Sequence, residues 1–511
     1  MIDQETRRRL EADERAASAD PEGTLRRRDF LRRTAYAAGL AGTALLPANA
    51  LLAQAAKAGA LGSGLPRSPG GPIDHVVIVM MENRSFDHYF GWYSALADAV
   101  QVRSYPDPQN GNQLVATHHA SDMGQAQWQG CGHPDPDHSW EGGRAQLGSA
   151  LNNSTAEPDG FLAGSNDDFA LSYYNEGELG FIHAAGKAFQ VYDRFHCSLL
   201  GPTWPNRYYK WSAQSGGHKD NTPPVSTGGN QWETLFDRAL VSNPANLPGQ
   251  GPTVRYYNSD LPFSAVWGPR GLPWTRPVAD YYAACASGTL ENIVIVDPPF
   301  RDGSGGDGIS ADEHPLGDVR LGQAWMSDVV HAFLESPHWQ SGALFVVYDE
   351  WGGFFDHVRP PSVPDARQSS DVNLDFGQMG YRIPAVALSP YIPRASVSHL
   401  LCGFESIIRF ATGTFGLGDL TVRDGNANNI GASFDFANPN FTVPDLPDPV
   451  GIVSKPCTAG GGDLISAQSA QAHASDLAAL EILADRYGFT VGSGALDEIF
   501  RSPDSVKKAL V

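Results

Sequence analysis

The sequence predicts an α/β protein whose doubly wound, mostly parallel sheet carries helices on both faces. Residues 76–80 form an apolar run with the length and β-branched content of a buried strand. Residues 346–348 end a second apolar run. Residues 292–296 and 383–388 are further strands of this kind, and a helix is predicted at about 318–334. Strands buried on both faces form continuous apolar runs, and their alternation with helices favours one doubly wound sheet with long loop insertions.

Polar side chains follow the two most apolar strands at the point where each ends. Glu82 and Asn83 follow the first run, and Asp349 and Glu350 follow the second. Ligands bind at the carboxyl ends of parallel strands, and adjacent carboxylates repel each other unless a positive charge lies beside them. These four residues therefore predict an all-oxygen site for one divalent metal ion. Calcium, magnesium, manganese or iron would fit, and zinc if a histidine joins. The alternative is a polar loop after each strand.

Thr203 is the candidate nucleophile. It lies between a Gly-Pro pair and Trp204, and Pro205 suits the first turn of a helix. A hydroxyl at a helix N-terminus lies in a positive potential, beside N–H groups that bind anions. The alternative makes Thr203 only the helix N-cap, a role compatible with the first. Asn206 and Arg207 follow on the same helix and are candidates for contacts with phosphoryl oxygens.

Three histidines are candidates for contacts with the same anion. His138 belongs to a loop dense in His and Asp, for which a solvated turn is the alternative. His314 stands just before a predicted helix, where an imidazole can face a bound anion, although alone it would be an ordinary loop histidine. Gly352 and Gly353 allow the chain to turn close to the carboxylates, so that His357 can fold back toward the site.

The chain begins with a predicted export signal. Residues 1–53 combine paired arginines, Arg27 and Arg28, a weakly apolar run and small residues suited to processing. The arginine pair is typical of twin-arginine signals, so we expect the twin-arginine export machinery as a partner and a periplasmic, cell-wall or extracellular location. An uncleaved anchor is the alternative, but the run is shorter than a membrane span requires. Residues 54–72 are predicted to be a linker, and 73–511 a single catalytic domain.

The net charge of the chain argues against some classes of partner, and its cysteines allow disulfides. The net charge is −21, and without residues 1–53, which carry nine Arg and eight acidic residues, it becomes −22. This acidity argues against nucleic acid and against docking on anionic membranes by charge. The five cysteines are dispersed without metal-type spacing and allow up to two disulfides, whose pairing the sequence leaves open.

Several motifs occur together in one order along the chain. They are Asp74-His75, the run 81–91 (MENRSFDHYFG), 137–140 (DHSW), 201–207 (GPTWPNR), 313–315 (EHP) and 349–358 (DEWGGFFDHV). In these motifs, between about 74 and 410, the chain resembles the bacterial phosphoesterase family that contains phospholipases C and a related acid phosphatase. The resemblance implies an alkaline-phosphatase-like fold. It also implies metal ligands at Glu82, Asn83, Thr203, Asp349 and Glu350.

The same resemblance implies a reaction. Thr203 would attack phosphorus to give a phosphothreonine, while His138, His314 and His357 would contact the phosphoryl group. We therefore expect a secreted metal-dependent phosphoric-ester hydrolase, first of all a phospholipase C that cleaves phospholipid to diacylglycerol and a phosphorylated head group. An acid phosphatase using the same site is the alternative, and a secreted metal-binding protein with a dead site is a distant one. The chain has no G-x-S-x-G elbow, which argues against a serine hydrolase.

Overall fold

The strand His75–Met81 lies inside an eight-stranded sheet and is buried along almost its whole length. The computed structural model describes residues 72–225, 227–301, 310–367, 376–449, 452, 454, 457 and 464–492. In chain order the strands of this part are β1 (His75–Met81), β2 (Ser104–Asp107), β3 (Gln113–Ala116), β4 (His118–His119), β5 (Ser172–Tyr173), β6 (Gln190–Tyr192), β7 (Val254–Asn258), β8 (Thr275–Pro277), β9 (Ile293–Asp297), β10 (Gly342–Tyr348), β11 (Ala385–Leu388) and β12 (Ser396–Ser398).

The main sheet has the strand order β12-β6-β11-β10-β1-β9-β7-β8. All neighbouring strands in it run parallel except β11, which is antiparallel to both β10 and β6. The register sets Met81 opposite Tyr348, and Val79 opposite Val296. The carboxyl ends of β10, β1 and β9 therefore meet at one edge of the sheet, which brings together the side chains that follow these strands.

Helices cover the sheet. They are α1 (Phe86–Phe90), α2 (Trp140–Leu147), α3 (Gly180–Ala188), α4 (Thr203–Ser212), α5 (Leu235–Ser242), α6 (Val278–Ser287), α7 (Val319–Leu334), α8 (Phe404–Phe415), α9 (Val422–Asn426) and α10 (Leu464–Tyr487). One group of packed helices consists of α3, α6 and α7, and a second consists of α4, α5, α8 and α9. The strands β9, β10 and β11 are buried at every residue, so both faces of the sheet are covered.

This arrangement confirms the predicted α/β class and the mostly parallel sheet. The predicted helix at 318–334 is α7, for which Asp318 is the N-cap. One detail differs from expectation: the predicted strand at 383–388 is the antiparallel β11. Residues 104–170 contain the hairpin β2–β3 and helix α2. Antiparallel pairing of β11 could not be read from its apolar run, because burial on both faces produces the same pattern in either direction.

The predicted signal peptide (1–53) and most of the predicted linker (54–71) lie outside the described residues, so these interpretations stay predictions. Among the residues that the structure describes, no helix has the length and apolar content to cross a membrane. Cys131 and Cys457 form a disulfide, while Cys197, Cys285 and Cys402 are buried free thiols. The disulfide joins the loop before α2 to the segment before α10.

Candidate active site

The loops after β1 and β10 are bound to each other by hydrogen bonds. The backbone N–H of Asn83 donates to Asp349 Oδ1 at 3.1 Å, and the N–H of Asp349 donates to the Met81 carbonyl at 3.1 Å. Asn83 adopts a left-handed conformation with φ of 61°, which asparagine tolerates better than most residues. Glu82, Asn83, Asp349 and Glu350 are all buried. The structure thus brings together the four predicted strand-end ligands.

Gly352 determines how closely these loops approach. Its φ is +64°, and a Cβ atom built there would lie 2.1 Å from the Asn83 carbonyl oxygen. A side chain at this position would therefore force the loop away from β1. The Gly352 N–H donates to Glu350 Oε2 at 2.7 Å and orients that carboxylate. This confirms the prediction that the glycine pair lets the chain turn close to the carboxylates.

Thr203 is the first residue of α4, and Pro202 takes the N-cap position. The alternative in which Thr203 serves only as the N-cap is therefore wrong. The Thr203 hydroxyl donates to Asn83 Oδ1 at 3.5 Å, and the residue is 7% exposed at the bottom of a cleft. The N-terminal end of α4 directs its positive potential at this hydroxyl. Thr203 and the strand-end residues consequently form one site.

Arg207 lies one turn below Thr203 and is fully buried. Its guanidinium is 2.8 Å from Glu82 Oε1, 3.2 Å from Asp297 Oδ1 and 3.2 Å from Asp349 Oδ2. Lys210, on the next turn of α4, is 2.9 Å from the same Asp297 oxygen. These contacts make Arg207 a positive centre that holds the carboxylates after three strands. They do not support the predicted contact between Arg207 and substrate, because its guanidinium is occupied beneath the site.

Asn206 uses its amide within the loop that precedes α4. Its Oδ1 accepts from the Leu199 N–H at 2.9 Å, and its Nδ2 donates to the Leu199 carbonyl at 3.1 Å and the Gly201 carbonyl at 2.8 Å. The side chain is completely buried. This geometry favours a role in shaping the loop that presents Thr203 over the predicted contact with phosphoryl oxygens.

His138 and His314 meet near the strand ends. Each donates its Nδ1–H to a backbone carbonyl, His138 to Pro136 at 2.7 Å and His314 to Pro315 at 2.9 Å, so each turns its Nε2 away from that carbonyl. His138 Nε2 lies 3.3 Å from Asn83 Nδ2 and 3.9 Å from Glu350 Oε1. The two rings are 5.9 Å apart between centroids. The structure thus brings both histidines beside the strand-end residues, and their contacts with the phosphoryl group stay a prediction.

His357 lies in a different buried network. Its Nδ1 is 2.5 Å from Asp87 Oδ2, and its Nε2 is 3.0 Å from Asp98 Oδ1. Arg382 pairs with Asp87 at 3.0 Å and with Asp356 at 2.9 Å in the same network. Both ring nitrogens of His357 are engaged there, so the expectation that His357 turns toward the strand-end site is not supported.

Burial shapes the charges of the site. Desolvation raises the pKa of the Glu82 and Asp349 carboxyls above their usual values even though Arg207 opposes the shift, and it raises the pKa of Glu350 to about 8. Burial disfavours the charged imidazole of His138, but the carboxylates of Glu350 and Asp135 outweigh it and raise its pKa to about 9. Buried carboxyls with raised pKa values are those that a further cation would stabilise in the ionised form.

The residues fit a divalent cation. Glu350 Oε1 is buried and accepts no hydrogen bond within the described part of the chain, which leaves a carboxylate oxygen facing the space beside Asn83 and His138. Asn83 Oδ1 and the Thr203 hydroxyl add two neutral oxygen donors. A hard cation prefers this kind of donor set. A different cluster, Asp135, His138 and His314, has metal-ligating atoms within 4.8 Å of one another.

Sequence reasoning missed Asp297 and Lys210 at the site, and it placed Asp135 only in a loop dense in His and Asp. Asp297 ends β9 and pairs with both Arg207 and Lys210. Asp135 Oδ2 lies 3.7 Å from His314 Nε2. Asp297 could have been found, since it ends an apolar run as Asp349 does. Lys210 carries no signal of this kind, because a helix turn brings it to the site.

Comparison with known proteins places this site in a family. The Phosphoesterase family matches residues 73–418. Non-specific phospholipase C3 of Arabidopsis thaliana is 27% identical, with 74% of this chain and 77% of that protein aligned. Phospholipase C B of Mycobacterium tuberculosis is 28% identical, covering 84% and 90%.

A further relative is longer than this chain's match to it. Non-hemolytic phospholipase C of Pseudomonas aeruginosa is 27% identical, with 83% of this chain aligned to 65% of that protein's length. Among solved structures, a protein in the alkaline phosphatase superfamily from Vibrio parahaemolyticus is 7% identical, with a TM-score of 0.33 over 85% of this chain and 96% of that one.

Proposed function

Because the chain belongs to the Phosphoesterase family, we propose that this phosphoric-ester hydrolase is a phospholipase C acting through a covalent intermediate on Thr203. The observation that carries the proposal is the position of the Thr203 hydroxyl. It stands at the N-terminus of α4, 3.5 Å from Asn83 Oδ1 and at the base of a cleft. Relatives named as phospholipases C support the substrate class.

We propose that one divalent cation completes the site. Glu82, Asn83, Thr203, Asp349 and Glu350 would hold it, and their buried oxygen atoms supply the donors. When bound, the cation supplies the positive charge that ionises the Thr203 hydroxyl and neutralises charge on the phosphoryl group. Arg207 supports this arrangement by holding Glu82 and Asp349 in place from below.

Residues of the chain carry out the first step of the reaction. The ionised Thr203 oxygen forms a bond to phosphorus, and the bond from phosphorus to the glyceride oxygen breaks. His138, whose Nε2 lies 3.3 Å from Asn83 Nδ2 and 3.9 Å from Glu350 Oε1, would donate to the equatorial oxygens. His314 donates its Nε2 proton to the departing alkoxide, and Asp135, 3.7 Å away, favours the charged ring that this donation requires.

Water completes the cycle. One water molecule attacks phosphorus, the bond between phosphorus and Thr203 breaks, and a proton from the water returns to His314. The products are diacylglycerol and the phosphorylated head group, and Thr203 ends as it began. We further propose that the enzyme acts after twin-arginine export, outside the cytoplasm, because residues 1–53 have the pattern of such a signal.

The experiment compares wild type with Thr203→Ala and Thr203→Ser. Hydrolysis of p-nitrophenylphosphorylcholine and of p-nitrophenyl phosphate is measured on protein stripped of metal and then refilled. We expect wild type to prefer the choline diester, Thr203→Ala to lose at least about a thousandfold in kcat at unchanged Tm, and Thr203→Ser to keep part of the activity.

Each alternative has its own outcome. Preference for the monoester would make the enzyme a phosphatase that uses the same residues. Turnover by Thr203→Ala near the wild-type rate would remove Thr203 as the nucleophile. Inactivity on both substrates with metal bound would favour a metal-binding protein with a dead site.

A further inference from the structure

A cleft opens beside Thr203, and the C-terminal helix α10 forms part of its wall. Three aromatic side chains, those of Trp204, Phe263 and Phe300, line the cleft together with the carboxylates of Glu82 and Asp476. The family match ends at residue 418, so it assigns no role to Asp476. The chemistry of this wall must therefore be argued from the structure.

Asp476 is fixed to the helix that carries the nucleophile. Its Oδ2 accepts from Asn221 Nδ2 at 2.6 Å, and Asn221 Oδ1 accepts from the Trp204 N–H at 2.9 Å. The bond chain therefore runs from α10 to the residue after Thr203. Asp476 is half-buried, and its electrostatic interaction with His138 shows that it lies near the rest of the site.

Helix α10 is itself held firmly. Leu480 and Leu483 are buried under it, Arg301 pairs with Glu481 at 2.7 Å, and Arg486 donates to the Val225 carbonyl at 2.6 Å. Asp476 consequently has a defined position relative to Thr203 and does not depend on a loose segment.

The cleft is negative and aromatic. No Lys, Arg or His is among the described residues that line it. Arg207 lies beneath it and is neutralised by Glu82, Asp297 and Asp349. A second negative charge on a phosphoryl substituent would be repelled by Asp476, whereas a cationic group would be attracted to that carboxylate and to the aromatic rings.

We propose that this cleft is the subsite for a cationic alcohol of the head group, choline or ethanolamine, and that Asp476 is its specificity-determining residue. The inference rests on the proposed function, since it places a substituent of the phosphorus attacked by Thr203. The cationic alcohol stays on phosphorus during the first step and leaves with the phosphoryl group after water attack. Phosphate monoesters and anionic head groups are the substrates that the cleft disfavours.

The experiment isolates the positive charge. Wild type and Asp476→Asn are compared on p-nitrophenylphosphorylcholine and on its uncharged analogue, 3,3-dimethylbutyl p-nitrophenyl phosphate, in which carbon replaces the quaternary nitrogen. The assay runs at about pH 8, where Asp476, whose pKa burial raises to about 6, is ionised. We expect the ratio of kcat/KM for the choline ester over the analogue to fall about tenfold in Asp476→Asn.

Two variants on the same helix serve as controls. Glu481→Gln makes the same change from acid to amide at an exposed position outside the cleft, and we expect its ratio to equal that of wild type. Asp476→Glu keeps the charge and should restore most of the preference. An unchanged ratio in Asp476→Asn, or an equal loss on both esters, would overturn the assignment.

A binding measurement separates this proposal from the proposed function and needs no variant. Choline and 3,3-dimethylbutan-1-ol are titrated into the wild-type protein by calorimetry. Tighter binding of choline is expected even if the protein hydrolyses neither ester, an outcome that would refute the proposed activity but keep the subsite. Equal or weaker binding of choline would overturn the subsite whatever the enzyme hydrolyses.

Discussion

Replacing Arg207 with methionine removes the guanidinium that lies between three buried carboxylates. Asp297 would keep its contact with Lys210 at 2.9 Å, but Glu82 and Asp349 would lose the cation now 2.8 and 3.2 Å away. Removing one partner of a buried ion pair costs about 3–5 kcal/mol, because the other partner is left buried and uncompensated. We expect a loss of this size in Arg207→Met.

The loss can be read as a change in Tm. With an unfolding entropy of about 2.1 cal/mol/K per residue over roughly 420 residues, 1 kcal/mol corresponds to ~1 °C. Calorimetry in the presence of a chelator should therefore show a Tm about 3–6 °C below that of wild type. Arg423→Met is the matched control: Arg423 is equally buried, pairs with Glu405 at 3.0 Å and Asp365 at 3.3 Å, and lies outside the site. It should lower Tm similarly and leave kcat of the folded enzyme intact.

The sign of the pH dependence follows from the same carboxyls. In the variant, burial holds the folded-state pKa values of Glu82 and Asp349 above their ordinary values of 4.5 and 3.8, without Arg207 to oppose the shift. Such groups contribute stability below the unfolded pKa and lose it as the pH rises through the folded pKa. The Tm difference from wild type should widen between about pH 5 and pH 8. A variant as stable as wild type across this range would refute the reasoning.

Three further predictions concern the loops, the histidines and the disulfide. Gly352→Ala should lower both Tm and metal affinity, measured by calorimetry, because its Cβ would lie 2.1 Å from the Asn83 carbonyl oxygen. Gly111 also has a positive φ but has open space around it, so Gly111→Ala should lower the free energy of unfolding by only about 1 kcal/mol. His314→Gln should lower kcat by about 10²–10⁴ at unchanged Tm. His357→Gln should mainly lower Tm by breaking its contacts with Asp87 and Asp98. A large loss of kcat at unchanged Tm in His357→Gln would instead indicate that His357 takes part in the reaction. Cys131→Ser should lower the free energy of unfolding by about 2–5 kcal/mol, since the disulfide closes a span of 326 residues, and an unchanged Tm under reducing conditions would contradict this.

The sequence was most informative where local pattern and topology coincide. Glu82 and Asp349 follow buried parallel strands, and adjacent parallel strands bring their carboxyl ends together whatever the loops do. Thr203 was identified from the Gly-Pro turn before it and the proline after it, which together favour a helix start. Thr203 and the strand-end residues could therefore be selected as candidate site residues before any coordinates.

Contacts between residues that are distant in the chain could not be predicted from the sequence. Arg207 was expected to face substrate because arginine commonly binds phosphate, and only the packing of α4 against β1, β9 and β10 turns it toward carboxylates instead. His357 comes shortly after the glycine turn that follows Asp349 and Glu350, but it contacts Asp87, which is distant in sequence and pairs with Arg382. Asp476 comes from the helix furthest along the described chain. Such partners depend on tertiary packing, for which a single sequence holds no periodic signal.

The most direct test of the central claim is to trap the covalent intermediate. Enzyme refilled with metal is mixed with p-nitrophenylphosphorylcholine, quenched in acid within the first turnover, and digested for peptide mapping by mass spectrometry. The account predicts a phosphorylcholine group on Thr203, absent from Thr203→Ala and replaced by a phosphoryl group when p-nitrophenyl phosphate is the substrate. Full turnover with no modified Thr203 peptide, together with direct transfer of the phosphoryl group to water with inversion at phosphorus, would contradict it.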